Sequence, residues 1–351
     1  MAQSATVTAT TMDTTSHDFT WQTYEFGGQG RHSAFYDVAI IDENDIWAVG
    51  EIHTKDTDHW NADSTKWLQP YNAVHWDGEK WELKKIYFYL CPNDTYPTTY
   101  PIKSVFAFGK NDIWFARGGS LNHWNGSKFI HDCSVNKFLT GSINKIWGTS
   151  SSDLYIVGNN GLIAHYNGQQ WQRIEIGTKV RLLDIYGNGN IWINGWNDLQ
   201  PTVLLRIENG NLKKIIESIN ILNRFSLNKI SGAIFSVWVD SHENSYVLTW
   251  NSLYRCFHGN MYQIKALWQG KKPSKWSYIK VRGDSENNIV TVGKRGRISH
   301  FNGITWKQYS SLLDTHNFLY SVSIRNNLIV AIGERYINAI QSYGLIYLGK
   351  R

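Results

Sequence analysis

Proline, cysteine and methionine are scarce, at 6, 3 and 3 of 351 residues. Three cysteines, with no Cys-x-x-Cys among them, exclude a disulfide-dense scaffold, a paired-cysteine zinc ribbon and a thioredoxin-like redox pair. No run of about 18 apolar residues occurs, so no segment reads as a membrane-spanning helix. Helical periodicity is almost absent; KKIIESINIL around Ile215 is the one weak candidate. There is no G-x-S-x-G, no H-E-x-x-H and no Walker loop, so the sequence announces no hydrolase elbow, zinc protease or nucleotide site. The opening stretch MAQSATVTATTMDTTSHD has neither a basic start nor an apolar core. It reads as a polar tether over residues 1–18, of the kind left when an export signal has been removed, and compatible with lipid or tether anchoring.

What is abundant is aromatic: 17 Trp, 19 Tyr and 14 Phe, beside 29 Gly. So many tryptophans demand either a repeated packing position or a binding surface. Charge is segregated. Residues 1–82 hold 14 acidic and 4 basic residues, whereas residues 265–307 hold 10 basic and 2 acidic. A basic pole attracts phosphates, sulfates or uronic acids, and the plainer reading is solubility. Nucleic acid is disfavoured because the basic pole faces a strongly acidic one.

The aromatics recur in register. NDIWAVG at Asn44–Gly50 returns as NDIWFARG at Asn111–Gly118 and as SDLYIVGN from Ser152. Aligned on the residue before the Ile of DIW, the copies fall at Asp45, Asp112, Asp153, Asn190, Ser245, Asn288 and Leu328. Most gaps lie near the 40–45 residues of a four-stranded propeller blade. A second signature follows each first one: HWDGEKW at His75, HWNGSKF at His123, HYNGQQW at His165 and HFNGITW at His300. Asp-Gly or Asn-Gly between alternating apolar residues is a hairpin, because a type I′ turn needs positive φ at both central residues. The sequence therefore predicts an all-β, seven-bladed β-propeller of four-stranded antiparallel blades over residues 19–351. The last blade lacks a fourth strand, and FTWQTYEF at Phe19–Phe26 supplies one, closing the ring and covering two exposed edges.

These repeats resemble those of bacterial exported propeller proteins whose blades carry D-I-W-A-V-G and H-W-N-G-x-x-W. The resemblance covers roughly residues 19–351 and implies the propeller fold and export to the periplasm, cell surface or medium; a cytoplasmic protein is the alternative. The D-G-x-x-W turn is also similar to the Asp box of sialidases, but the Ser and its spacing are missing, so no sialidase residue is carried over.

The turns DEND, GKND, DG and NG on one face are short and uniform, whereas the opposite loops are long and varied, and varied loops on a rigid frame are where binding usually lives. On that long-loop face we expect Arg31, Trp60, Trp67, Arg117, Trp196, Trp250, Lys294, Arg295, Arg335 and Tyr336 to contact ligand. Flat aromatics stack on sugar rings, and arginine forks grip carboxylate, sulfate or phosphate. Loop tryptophans can equally be packing residues. Glu51 and Glu334 each follow the Gly that ends a second strand, in blades one and seven. Together they could form the carboxylate pair of a glycoside hydrolase; the plainer reading is two exposed loop acids. Lys294 holds the matching place in blade six.

The recurrent His75, His123, His165 and His300 sit at equivalent places in different blades and cannot converge on one ion, so they read as packing residues, with Cys256 replacing the His in blade five. HTKDTDHW in the blade-one insertion matches no calcium or zinc pattern and reads as a solvated loop. No metal or cofactor is expected. Cys91 and Cys133 lie in adjacent blade-to-blade loops and could form a disulfide, or remain free thiols. The leading reading is a monomeric, non-catalytic, exported binding module for a glycan or other anionic polymer. A carbohydrate-active hydrolase or lyase is one alternative, a protein-interaction scaffold the other.

Overall fold

The computed structural model describes residues 14–89, 96–139, 141–177, 179–197, 200–218, 230, 232–249, 252–259, 264–267 and 278–351. Seven four-stranded antiparallel sheets follow one another along the chain and form a seven-bladed β-propeller. Blade one runs from Ala34–Asp42 through Asp45–Ile52 and Tyr71–Trp76 to Trp81–Lys84. Blade seven takes three strands from the C-terminal end, Asn317–Arg325, Leu328–Asn338 and Gln341–Lys350, and its fourth from Thr20–Gly27. That N-terminal strand pairs without interruption from Thr20↔Lys350 to Gly27↔Tyr343, so the ring closes as the hairpin pattern demands.

The apolar cores lie between blades. One joins Val49 and Ala73 of blade one to Val105, Ile113 and Phe115 of blade two; another joins Phe35 and Ile46 to Val330 and Ile346 of blade seven. Each such buried side chain contributes about 1.5–3 kcal/mol, which is why strand alternation is so regular.

The repeated letters have a shared geometry. His75 Nε2 meets Asp45 Oδ1 at 2.9 Å, His123 meets Asp112 at 2.8 Å and His165 meets Asp153 at 2.7 Å. The same three rings stack on Trp47, Trp114 and Tyr155, with centroids 4.5, 4.4 and 4.2 Å apart. The motif thus ties the second strand of a blade to the third. Strand register corrects the blade-five alignment by one residue. Tyr246 pairs with Trp238 and with Arg255, as Trp47 pairs with Ala39 and His75, so Asn244 and not Ser245 is the counterpart of Asp45. The residue in place of His is therefore Arg255, lying 5.7 Å from the Tyr246 ring centroid, while Cys256 matches Trp76. The weak helical candidate is also corrected: Lys213–Ser218 belongs to the edge strand Asn211–Ser218 of blade four, where pairing to Thr202–Glu208 overrides local propensity.

Six inner strands bulge by one residue at the same height: at Tyr36, Asn144, Leu183, Phe235, Ile279 and Tyr320. A bulge inserts an unpaired residue and re-aims its side chain. The residue after each bulge turns toward the axis, and with Ser104 these form a polar ring of Asp37, Ser104, Lys145, Asp184, Ser236, Lys280 and Ser321. Contacts span the ring. Lys145 Nζ lies 2.7 and 2.6 Å from the two Asp37 oxygens, and Ser104 and Ser321 also donate to Asp37. Lys280 Nζ and Arg282 Nη2 reach Asp184 Oδ1 at 2.9 and 2.7 Å. This ionic waist spans the channel, and the far end of the blade-one insertion is tied to the next blade. Its Gln69 and Pro70 bond to Pro97 and Thr99, in the stretch leading to blade two.

Candidate functional site

At the long-loop mouth, blades one and seven repeat one local unit. Gly50 and Gly333 oppose the bulged inner strands so closely that a Cβ on either would lie 1.9 Å from a carbonyl oxygen, of Ala34 or Phe318. Only glycine fits there. The next residues, Glu51 and Glu334, then meet the bulged tyrosines: Tyr36 Oη donates to Glu51 Oε1, and Tyr320 Oη donates to Glu334 Oε1. The segments AFYDV and AVGEI of blade one thus match FLYSV and AIGER of blade seven.

His32, on the loop that leads from the closing strand into blade one, lies between the two units. Its Nε2 is 2.6 Å from Glu334 Oε2 and its Nδ1 3.3 Å from Glu51 Oε1. His53 adds Nε2 at 3.8 Å from Glu51 Oε2 and holds Asp58 Oδ2 through Nδ1 at 2.6 Å. The Glu334 side chain is fully buried, and its Oε2 is ion-paired with His32 Nε2. Below the mouth, Lys103 Nζ sits 3.2 Å from the Tyr36 ring centroid, and burial lowers its pKa against the pull of Glu51.

The charges follow from these contacts. The Glu334 and then the Glu51 carboxylates push the His32 imidazole up to about 9, so it is a cation at neutral pH. Burial would raise the Glu51 carboxyl, but His32, His53 and Tyr36 outweigh it and hold it well below the usual range. Burial acts likewise on Glu334 and is outweighed by His32 and the tyrosines. Burial, then Glu51, raises Tyr36, and burial, then Glu334, raises Tyr320, so both hydroxyls stay protonated donors. Glu51, Glu334 and Asp58 thus alternate with His32 and His53, with Lys103 below and Arg31 in the lining, so the recess holds paired charges of both signs.

The two glutamates are therefore brought together, and neither is an exposed loop acid: their side chains are 22% and 0% exposed. The recess above them is lined by Gly30, Arg31, His32, Glu51, His53 and Ile340. Arg31 thus belongs to it. Tyr336 lies at its edge, 40% exposed, and acts on Glu334 and Tyr320. Trp60 and Trp67 form the small hairpin of the insertion, packed edge to face with centroids 5.8 Å apart, and are 56% and 40% exposed. The other expected contacts are dispersed or engaged. Arg335 Nη1 donates to Glu25 at 2.7 Å, Arg117 covers Tyr100 at 4.4 Å, and Lys294 faces Phe318 at 5.3 Å. Trp196 packs against Phe235, and Arg295 is an exposed turn residue with φ of 64°. Trp250 lies outside the described residues, as does Cys91. Cys133 is disulfide-bonded, and Cys256 is a free, buried thiol.

Sequence reasoning missed Tyr36, Tyr320 and Lys103, and it did not place His32, a neighbour of Arg31 on the long-loop face, among the expected ligand contacts. The available signal was the Gly-Glu pair, whose glycine marks a bulge in the facing strand. The insertion's carboxylates are spent internally, with Thr54 and Tyr71 donating to Asp56 and His53 pairing with Asp58. Asp240, His242 and Glu286 place ligand atoms within 4.8 Å of one another. However, Asp240 already accepts from His242, Asn244 and Tyr246, and Glu286 accepts from Arg255.

No protein-family model and no curated protein matches the chain. Solved structures do match. One described as YCF48 bound to D1 peptide has a TM-score of 0.62 at 14% identity, covering 96% of this chain and 99% of that one. YCF48 from Cyanidioschyzon merolae has a TM-score of 0.59 at 11% identity, covering 93% and 98%. The extracellular domain of BT4673 from B. thetaiotaomicron has a TM-score of 0.57 at 13% identity, covering 89% of this chain but 40% of that one. At such identities the likeness establishes the propeller fold alone. No helix among the described residues is long and apolar enough to cross a membrane.

Proposed function

We propose that the protein is a non-catalytic binding module whose long-loop mouth receives a segment of a partner protein carrying a cationic side chain. The observation that carries this reading is the recess itself, an open hollow in which the partly exposed Glu51 carboxylate stands beside His32 and His53. An ammonium or guanidinium group entering the recess would pair with the exposed part of Glu51. Exposed Trp60, Trp67, Tyr336 and Ile340 offer apolar anchors on the same face. The solved structure bound to a peptide is another propeller that takes a polypeptide, which is consistent with this use of the fold.

The anionic-polymer reading has less support, since Arg335, Arg117 and Lys294 are engaged with Glu25, Tyr100 and Phe318. The hydrolase reading lacks its acid: a glycosidase pair needs one protonated carboxyl at working pH, and both glutamates are held ionised. A glycan remains a second reading on one observation, the exposed Trp60 ring. Export is part of the proposal, with a Cys91–Cys133 bond suited to an oxidising compartment. Cys91→Ser should abolish the difference between reduced and non-reduced gel mobility; an unchanged difference rejects that pairing.

The functional test is peptide display on the immobilised protein, counter-selected against Glu51→Gln. Enriched peptides should carry Lys or Arg and bind Glu51→Gln and Trp60→Ala at least about tenfold more weakly. Enrichment indifferent to both substitutions would reject the site, and a glycan-array signal lost in Trp60→Ala would favour the second reading.

A further inference from the structure

The channel has a second opening, on the short-turn face, and it is unlike the mouth. A cavity of about 160 Å³ enters there and ends on the ionic waist. Its walls are Ile40, Phe106, Trp147 and Tyr186, and its floor carries Lys145 and Arg282 together with Asp37, whose carboxylate is already paired with Lys145. A cavity of about 150 Å³ accommodates a benzene ring. Its apolar walls suit a body of that size, and its floor suits a charged end.

The floor has a surplus of one sign. Lys145, Lys280 and Arg282 are three cations, and they share two carboxylates, Asp37 and Asp184. Asp37 is saturated by Lys145, Ser104 and Ser321. Asp184 takes Lys280, both terminal nitrogens of Arg282, and Ser236. Arg282 Nη2 donates only to Asp184 among the described residues, so one of its N–H groups has no protein acceptor. The guanidinium is backed by the Tyr186 ring, with its central carbon 5.3 Å from the centroid. A buried surplus charge with an unspent donor beside a cavity is what an anion site requires.

We propose that this funnel binds a small organic carboxylate with an aromatic or branched apolar body. The carboxylate lies against Lys145 and Arg282, and the body lies against Phe106, Trp147 and Tyr186. The site is at the opposite end of the channel from the proposed partner site and independent of it.

Binding is coupled to a proton. Burial, then Arg282, lowers the Lys280 ammonium to about 7 against the opposing pull of Asp184. The charged groups facing it across the waist are Arg282 of its own strand, Asp184 of blade four, Lys145 of blade three and Asp37 of blade one. The polar ring residues of the remaining three blades are Ser104, Ser236 and Ser321, which do not titrate. A bound carboxylate restores the charge balance and favours the protonated lysine, so affinity falls as pH rises through about 7.

The test is calorimetric titration of the full chain with benzoate, benzylamine and benzyl alcohol at pH 6 and pH 8.5. Benzoate should bind at one site at pH 6 and about tenfold more weakly at pH 8.5, and the other two should not bind. Lys280→Met removes the surplus charge while leaving each aspartate one cation. It should lose at least about tenfold in benzoate affinity and the pH dependence with it. Should that variant not fold, Ser323→Trp, which fills the funnel from its half-buried wall, should abolish binding. The proposal is overturned by the absence of saturable benzoate binding at pH 6, by equal binding of benzyl alcohol, or by undiminished binding to folded Lys280→Met or Ser323→Trp.

Discussion

The channel waist and the long-loop mouth are both built from carboxylates held ionised by cations, yet they differ in how far they are exposed to solvent. At the waist, every oxygen of Asp37 and Asp184 is occupied and the surplus is positive. At the mouth, His32 is 43% exposed and Glu51 22% exposed, so the paired charges lie next to solvent. The waist is a structural junction among blades one, three, four and six whose carboxylates are fully engaged. The mouth is a more exposed one, which in our proposal a partner covers.

The largest effect that would sharpen this contrast lies at the waist. Asp184→Ala leaves Arg282 and Lys280 buried without their carboxylate and should cost about 3–5 kcal/mol in denaturant unfolding. A cost under about 1 kcal/mol would show that the waist is not a structural junction. The Asp184 carboxyl is depressed because Arg282 and Lys280 outweigh burial. Its contribution is therefore present above an unfolded pKa of about 3.9 and is lost as pH falls toward the lower folded value.

The mouth should respond less, and unequally. Tyr320→Phe removes the hydroxyl that Glu334 needs in full burial and should cost about 1–3 kcal/mol. Tyr36→Phe should cost less, because Glu51 remains 22% exposed and water can replace the donor. Equal losses on urea unfolding would erase the distinction between the two units.

The sequence made the frame readable because turn chemistry and strand alternation are local. Asn-Gly and Asp-Gly turns mark the hairpins, and Phe19–Phe26 carries the alternation of an outer strand. The nearness of Glu51 and Glu334 was also legible, since each follows the closing Gly of neighbouring blades. The tyrosines beside them were not, because a bulge belongs to two strands at once and appears in one strand only as a glycine in the other. Blade five was misaligned because it has no DIW; its Asn244-Ser245-Tyr246 is fixed only by pairing to Trp238 and Arg255. The waist is scattered from Asp37 to Ser321, with only Lys280 and Arg282 sharing a strand, and no local window contains both members of any of its ion pairs.

The smallest stability effect concerns His32. Its pKa is raised to about 9 by Glu334 and Glu51, so its stabilisation is complete below an unfolded value of about 6.5 and is lost as pH rises through about 9. Because the ring is 43% exposed, screening reduces the effect to about 1 kcal/mol. Wild type should lose that much between pH 6 and pH 10 relative to His32→Gln; parallel pH profiles would remove the imidazolium from the recess.

Hydrogen exchange with a display-selected Lys- or Arg-bearing peptide tests the central assignment most directly. Binding at the mouth predicts added protection over residues 30–36, 51–60 and 334–340. Protection confined to the short turns at 40–45, 107–112 and 324–328 would contradict it.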